Sequence, residues 1–210
     1  MKKRLYISLT VIFIVLFFDQ LLKWYVKTHF MIGESYRIFS WFYIHFIENP
    51  GMAFGITFSE GDIGKIALSL LRIAAAIVIG IYLYILIKKE TNIVFIISMS
   101  LIWAGAMGNI IDSLFYGMIY NSSEGQIAQL FPASGGYAPF LHGKVVDMLY
   151  FPLIEGHFPH WFPVWGDESF LFFRPVFNLA DSSITVGVIL LILFYNKIFP
   201  KKNDNSKNML

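Results

Sequence analysis

Cysteine is missing altogether from these 210 residues, and charged side chains make up only 14% of them. The first absence excludes disulfides, thiolate metal sites and a cysteine nucleophile. The second excludes an ordinary soluble domain, in which about a quarter of residues are charged. A formal net charge of +2 gives no basic excess of the kind that would argue for a nucleic-acid partner. Neither an internal repeat nor a glycine-rich nucleotide loop occurs. Histidine is sparse too. His142, His157 and His160 form the nearest thing to a cluster, but Pro159 interrupts any helical HxxH geometry, so no metal and no cofactor is expected.

Apolar side chains take the place of what is missing, at 57% of residues and a mean hydropathy of +0.63. Four runs, 5–25, 66–87, 93–111 and 179–199, are long enough to cross a hydrocarbon core about 30 Å thick. The first follows Lys2, Lys3 and Arg4 in the manner of a signal peptide. It has no small-residue cleavage site and ends in FFDQLLKWYVK, so it reads as a retained helix. The third contains GAMGN, whose small residues let another backbone approach closely. The second contains Arg72, which is expected to snorkel or to pair with a polar group of the third.

Basic residues set the expected orientation. The amino terminus, the link Lys88–Lys89 and the tail (Lys197, Lys201, Lys202, Lys207) hold nine of the sixteen, all on one side of a four-span topology. The positive-inside rule then puts both termini and the tail 200–210 in the cytoplasm, with connections 26–65 and 112–178 outside. These connections are not simple linkers. RIFSWFYIHF and the following ENPGMAFGITF suggest a small sheet on the membrane surface, and residues from about 113 to 177 suggest a lid or interfacial platform. The expected fold is one α-helical membrane-embedded domain over 1–210, with four transmembrane helices and a β-rich extracytoplasmic cradle.

Three aspartates stand at the edges of the apolar runs: Asp112 after SLIWAGAMGNII, Asp147 in KVVDMLYF, and Asp181 in FNLADSSITVGV. A charged Asp costs roughly 2.5–3.5 kcal/mol at a membrane helix centre, so such residues usually mark a working site. The bland alternative is capping, and DSS does look like a helix N-cap. Asn109 and Asp112 share a helix face at i, i+3, as do Asn178 and Asp181, while Asp19 and Lys23 at i, i+4 can neutralise one another. Two close carboxylates cannot both ionise cheaply, so they share a proton and can activate water. The turn Asn49-Pro50-Gly51 lets backbone groups approach a ligand closely.

The pieces FDQLLKWYV, ENPGMAFGI, GAMGNIIDSLFYG, KVVDMLYF and FNLADSSITVGV, in this order, resemble the lipoprotein signal peptidases (signal peptidase II), aspartyl peptidases of the bacterial plasma membrane. The resemblance implies Asp147 and Asp181 as the catalytic dyad. Asp19, Lys23, Asn49, Gly51, Gly108, Asn109, Asp112 and Asn178 occupy the family's supporting positions. It also implies cleavage of prolipoproteins just before a cysteine carrying a diacylglyceryl group, contact with membrane lipids, and inhibition by the cyclic peptide globomycin. A site complete within one chain makes a monomer the expectation. The chain departs from the family in two ways: Ser113 stands where an Arg usually follows the third-span aspartate, and the inserts 113–146 and 148–177 are longer than usual. Arg174 or Lys144 could supply the missing charge. Two rivals remain on the residues alone, a small transporter or proton-coupled channel and an inert lipoprotein-binding membrane protein.

Overall fold

The computed structural model describes residues 1–50, 62–157, 159–164, 167–172 and 175–199. Its first three long helices are α1 (Lys2–His29), α2 (Asp62–Lys88) and α3 (Ile93–Ile111). Helix α3 ends where the sequence suggested, but the chain keeps winding through a π-helical turn, Asp112–Tyr116, and a short α4, Gly117–Ile119. The third apolar stretch is therefore Ile93–Ile119, and Asp112 lies inside it rather than at its end. The last run is α5 (Leu179–Leu193), followed after Phe194 by α6 (Tyr195–Ile198). Backbone hydrogen bonds from Phe194, Ile198 and Phe199 back to Leu190, Phe194 and Tyr195 carry the winding across that interruption.

Among the described residues, α1, α2 and the stretch Ile93–Ile119 are long and apolar enough to cross a membrane, while α5 alone is shorter. Their outer surfaces are what lipid requires. Phe13, Val78 and Ile192 are each about two-thirds exposed, and the same apolar side chains would aggregate in water. Inside, small residues decide the helix spacing. A Cβ on Gly105 would strike the Ala180 carbonyl and lie 2.5 Å from Ser183 Oγ, and one on Gly187 would lie 2.8 Å from the Ser98 carbonyl. Helices α3 and α5 thus meet backbone to backbone, the role expected of GAMGN.

The amino terminus, the α2–α3 turn and the end of α6 gather at one end of the molecule. Arg4 bonds to the Thr91 carbonyl at 3.0 Å and to Glu90 at 3.1 Å, and Asn92 donates to the Lys197 carbonyl at 3.3 Å. Asn92 also caps α3 by accepting from Val94 N. Leu83, Leu86, Ile87, Phe95, Ile96, Met99 and Ile198 form a core there.

A four-stranded antiparallel sheet occupies the opposite end, in the order β1 (Ser35–Phe39), β2 (Phe42–Asn49), β3 (Val145–Tyr150), β6 (Val176–Phe177). A separate hairpin pairs β4 (Ile154–His157) with β5 (Ser169–Phe172). The segment VVDMLY forms β3, an inner strand of the larger sheet. Val146 and Met148 point into a core with Val26, Phe46, Tyr116, Tyr120 and Ala128. Alternation of side chains along the strand sends Asp147 to the other face. Near the sheet, Trp41, Phe42 and Phe177 each stack with Phe151 at ring centroid distances of 4.7–6.0 Å, an aromatic surface suited to a membrane interface.

Candidate active site

Asp147 is placed by the sheet and Asp181 by a helix start, and one asparagine joins them. Strand β6 lies beside β3 and runs directly into Asn178, the N-cap of α5. Asn178 Oδ1 accepts from Asp181 N at 2.8 Å, while the Asp181 carboxylate turns back to Asn178 N at 3.4 Å, a capping box. The same Asn178 donates its side-chain amide to Asp147 Oδ1 at 2.8 Å and to Asn109 Oδ1 at 2.9 Å. Asn109 in turn donates to Asp181 Oδ1 at 2.8 Å, and Asn49 reaches Asp147 Oδ2 at 3.4 Å. DSS suggested a helix N-cap at Asp181, but the cap is Asn178; Asp181 stands three residues further on, and its carboxylate turns back toward Asn178 N while remaining in the polar cluster.

A buried ionic platform lies behind the two carboxylates. Lys23 Nζ sits 2.8 Å from Asp19 Oδ2, 2.8 Å from Asp112 Oδ2 and 3.1 Å from Asn109 Oδ1, so all three of its hydrogens have acceptors. All three charged side chains are fully buried, and the Asp19–Lys23 pair read from the i, i+4 spacing extends to Asp112. Asp19 Oδ1 accepts from Ala180 N at 2.8 Å, satisfying an otherwise open donor in the first turn of α5. Asp112 Oδ2 accepts from Val146 N at 3.2 Å, one residue before Asp147. Gly108 is required for this arrangement, because a Cβ there would lie 2.7 Å from Asp19 Oδ2. Gly51 falls outside the described residues.

Electrostatics follow from this burial. Removal from water pushes the Asp147 carboxyl up to about 7, and the neighbouring Asp181 adds to the rise against the pull of Lys23 and Asn49. Elsewhere, burial would raise the Glu48 carboxyl, but Lys27, Ser123 and Lys144 outweigh it and hold it below the ordinary range. Lys144, offered above as a replacement for the missing Arg, is committed to Glu48 at 3.3 Å and Glu124 at 3.6 Å. Arg174 lies outside the described residues. Ser113 donates to the Asn109 carbonyl at 3.0 Å within its own turn and brings no charge.

Some participants escaped sequence reading. Gln20 donates to Asp19, to Asp112 and to the Gly108 carbonyl, and accepts from the Tyr116 hydroxyl at 3.1 Å. Lys27 is fully buried against Glu48 and Ser123, with the rings of Tyr120 and Tyr137 about its ammonium at 5.2 and 5.1 Å. The available signal was the recurrence Asp19, Lys23, Lys27 on an otherwise apolar helix, a charged stripe at i, i+4, i+8.

Fold and site together define an integral membrane protein with a buried cluster of carboxylates and amides. Two solved structures, both described as bacterial membrane enzymes obtained by the in meso method, align with it. The one at 2.3 Å resolution gives a TM-score of 0.60 and 25% identity over 94% of this chain and 93% of that one. The one at 1.9 Å gives 0.59 and 26% over 90% and 92%. The family model for signal peptidase (SPase) II matches residues 11–197. The lipoprotein signal peptidase of Porphyromonas gingivalis is 50% identical over 202 residues, covering 94% of this chain and 86% of that protein. Its counterpart in Amoebophilus asiaticus is 34% identical over 197 residues, covering 92% and 79%. The chain belongs to the signal peptidase II family. Membership in a peptidase family favours hydrolysis over the transport and inert-binding alternatives.

Proposed function

We propose that the protein is an aspartyl endopeptidase that removes signal peptides from diacylglyceryl-modified prolipoproteins, cutting before the lipid-modified cysteine. The observation that carries this reading is the pair of hydrogen bonds at Asn178, whose side chain donates to Asp147 Oδ1 and accepts from Asp181 N. One side-chain amide thereby ties Asp147 to the first turn of α5, where Asn109 holds the Asp181 carboxylate. Asp147, with its raised affinity for a proton, is assigned the shared hydrogen, and Asp181 the role of taking a proton from water.

In the proposed reaction Asp181 accepts a proton from water while Asp147 protonates the scissile carbonyl oxygen, giving a tetrahedral diol. Collapse returns a diol proton to Asp147 and passes the proton on Asp181 to the leaving nitrogen, which restores the starting charges. Asn109 and Asn49 hold the carboxylates in orientation. Helix α5 continued by α6 supplies a fourth crossing, both termini lie in the cytoplasm, and the sheet end faces outward. Substrate enters sideways from the bilayer with its acyl chains in lipid. The enzyme acts as a monomer and is blocked by globomycin.

The test is the pH–rate profile for cleavage of a diacylglyceryl-modified prolipoprotein in proteoliposomes, with the cut located by mass spectrometry. A bell is expected, falling above about pH 7 as the shared proton leaves and falling again in acid as the second carboxylate is protonated. A flat profile across the acidic and neutral range, or activity abolished by chelators, would sink the dyad.

A further inference from the structure

Arg72 is a basic side chain in the middle of an apolar helix, and its neighbours on α2 settle which way it faces. Lys65, Ser69, Arg72 and Ala76 recur at i, i+4, i+7 and i+11, one stripe of an α-helix. Lys65 Nζ donates to the His142 carbonyl, and Ser69 Oγ donates to the Leu141 carbonyl at 3.2 Å. The Ala76 carbonyl accepts from the Trp103 indole at 2.9 Å. Further along the stripe Leu83 and Ile87 are buried, whereas Leu70, Leu71, Ile77 and Val78 are exposed. Arg72 is bracketed by groups tied to the 141–142 loop on one side and to α3 on the other. That loop presses on the centre, since Gly143 N bonds to the Ser113 carbonyl at 2.9 Å and a Cβ on Gly143 would strike the Asp112 carbonyl. Among the described residues, burial is the largest influence on the Arg72 guanidinium, and Asp181, Asp147 and Asp112 are the carboxylates whose charge reaches it.

Charge balance gives this placement a purpose. The buried centre carries Asp19, Asp112, Asp147 and Asp181 against the single ammonium of Lys23. With one proton shared, two negative charges remain uncompensated among the described residues, a costly state where Asp19, Asp112 and Asp147 are buried. Lys27 and Lys144 form their direct ion pairs with Glu48 and Glu124, and Lys27 reaches only Asp112 of the four, at longer range. Ser113 brings no charge at the corner beside Asp112.

We propose that Arg72 is the positioning cation of the reaction: held inward by the α2 stripe, its guanidinium balances the dyad and keeps one carboxylate ionised at neutral pH. The inference rests on the dyad reading above and assigns to this chain's second helix the charge that Ser113 lacks. Arg72 acts through Asp181 and Asp147.

The test compares pH–rate profiles of wild type, Arg72→Gln and Arg72→Lys on the diacylglyceryl-modified prolipoprotein in proteoliposomes. A positive charge lowers the proton affinity of both carboxylates, so its loss raises both. Arg72→Gln is expected to move the whole bell upward by about one pH unit, with kcat falling most on the acid side and KM changing little. Arg72→Lys, which keeps the charge, is expected to retain the wild-type bell and most of kcat. A bell that stays in place while kcat drops equally at every pH would overturn the proposal and leave Arg72 a packing residue. Should Arg72→Gln fail to accumulate, Arg72→Lys decides alone: retention of the wild-type bell supports the electrostatic role, and loss of activity without displacement of the bell overturns it. Failure of the dyad itself looks different, because wild type would then show no bell to displace.

Discussion

Burial of Asp147 on the face of β3 turned toward Asn178 raises its carboxyl from the ordinary 3.8 to about 7, with Asp181 adding to the effect. A folded form that binds a proton more tightly than the unfolded chain is favoured at low pH. The contribution of Asp147 is therefore fully present below about pH 4 and is lost as pH rises through about 7. A rise of that size corresponds to roughly 4 kcal/mol at most. Asp147→Asn removes the ionisation, so the variant is expected to unfold at a higher temperature than wild type at pH 8, with the gap closing near pH 4. Thermal unfolding in detergent measures this, and a gap independent of pH would remove Asp147 as its source. At this scale much of the site was legible. Asp147, Asp181, Asn109 and Asn178 are polar groups at the ends of apolar runs, and such groups need partners. Gln20 and Tyr116 were not legible, because their bond exists only once α1 lies against α3 and its π turn.

The seam between α3 and α5 is the element that holds the site together. It carries Asn109 and Asp112 on one side and Asn178 and Asp181 on the other, and Gly105, Gly108 and Gly187 allow the approach. Gly105→Ala places a methyl group against the Ala180 carbonyl and 2.5 Å from Ser183 Oγ, so one helix must shift. The expected cost is about 1–3 kcal/mol, read as a lower melting temperature together with reduced cleavage. Unchanged melting would mean the seam is looser than described. GAMGN announced this contact, whereas β3 did not announce itself as a strand. Val145, Val146, Asp147 and Met148 are buried on both faces, so the run has no polar–apolar alternation to read. The π turn at Asp112 likewise has no sequence period, and it emerges only from the packing of α1, β3 and the 141–143 loop around one carboxylate.

For the molecule as a whole, polarity divides the two ends. Arg4, the α2–α3 turn and Lys197 gather at one end, and the sheet with its aromatic surface stands at the other. The proposed orientation puts the first end in the cytoplasm. Because the natural chain has no cysteine, single cysteines are unique reporters. A membrane-impermeant maleimide added to intact cells is expected to label Ser134→Cys and to spare Lys89→Cys, and the reverse pattern would invert the topology. The helices and this charge asymmetry were readable from hydropathy and basic residues alone. The Asp19–Lys23 pair was readable from its spacing, but its junction with Asn109 and Asp112 and the Lys27–Glu48–Ser123 cluster were not, since they form only once α3, β2 and the Ser123 loop lie against α1. The central claim is that Asp147 and Asp181 together cut the peptide. It is tested most directly by incubating wild type, Asp147→Asn and Asp181→Asn with a diacylglyceryl-modified prolipoprotein and following release of the signal peptide. Both variants are expected to be folded yet to lose at least about a hundredfold in kcat. Turnover at the wild-type rate by either one would contradict the account.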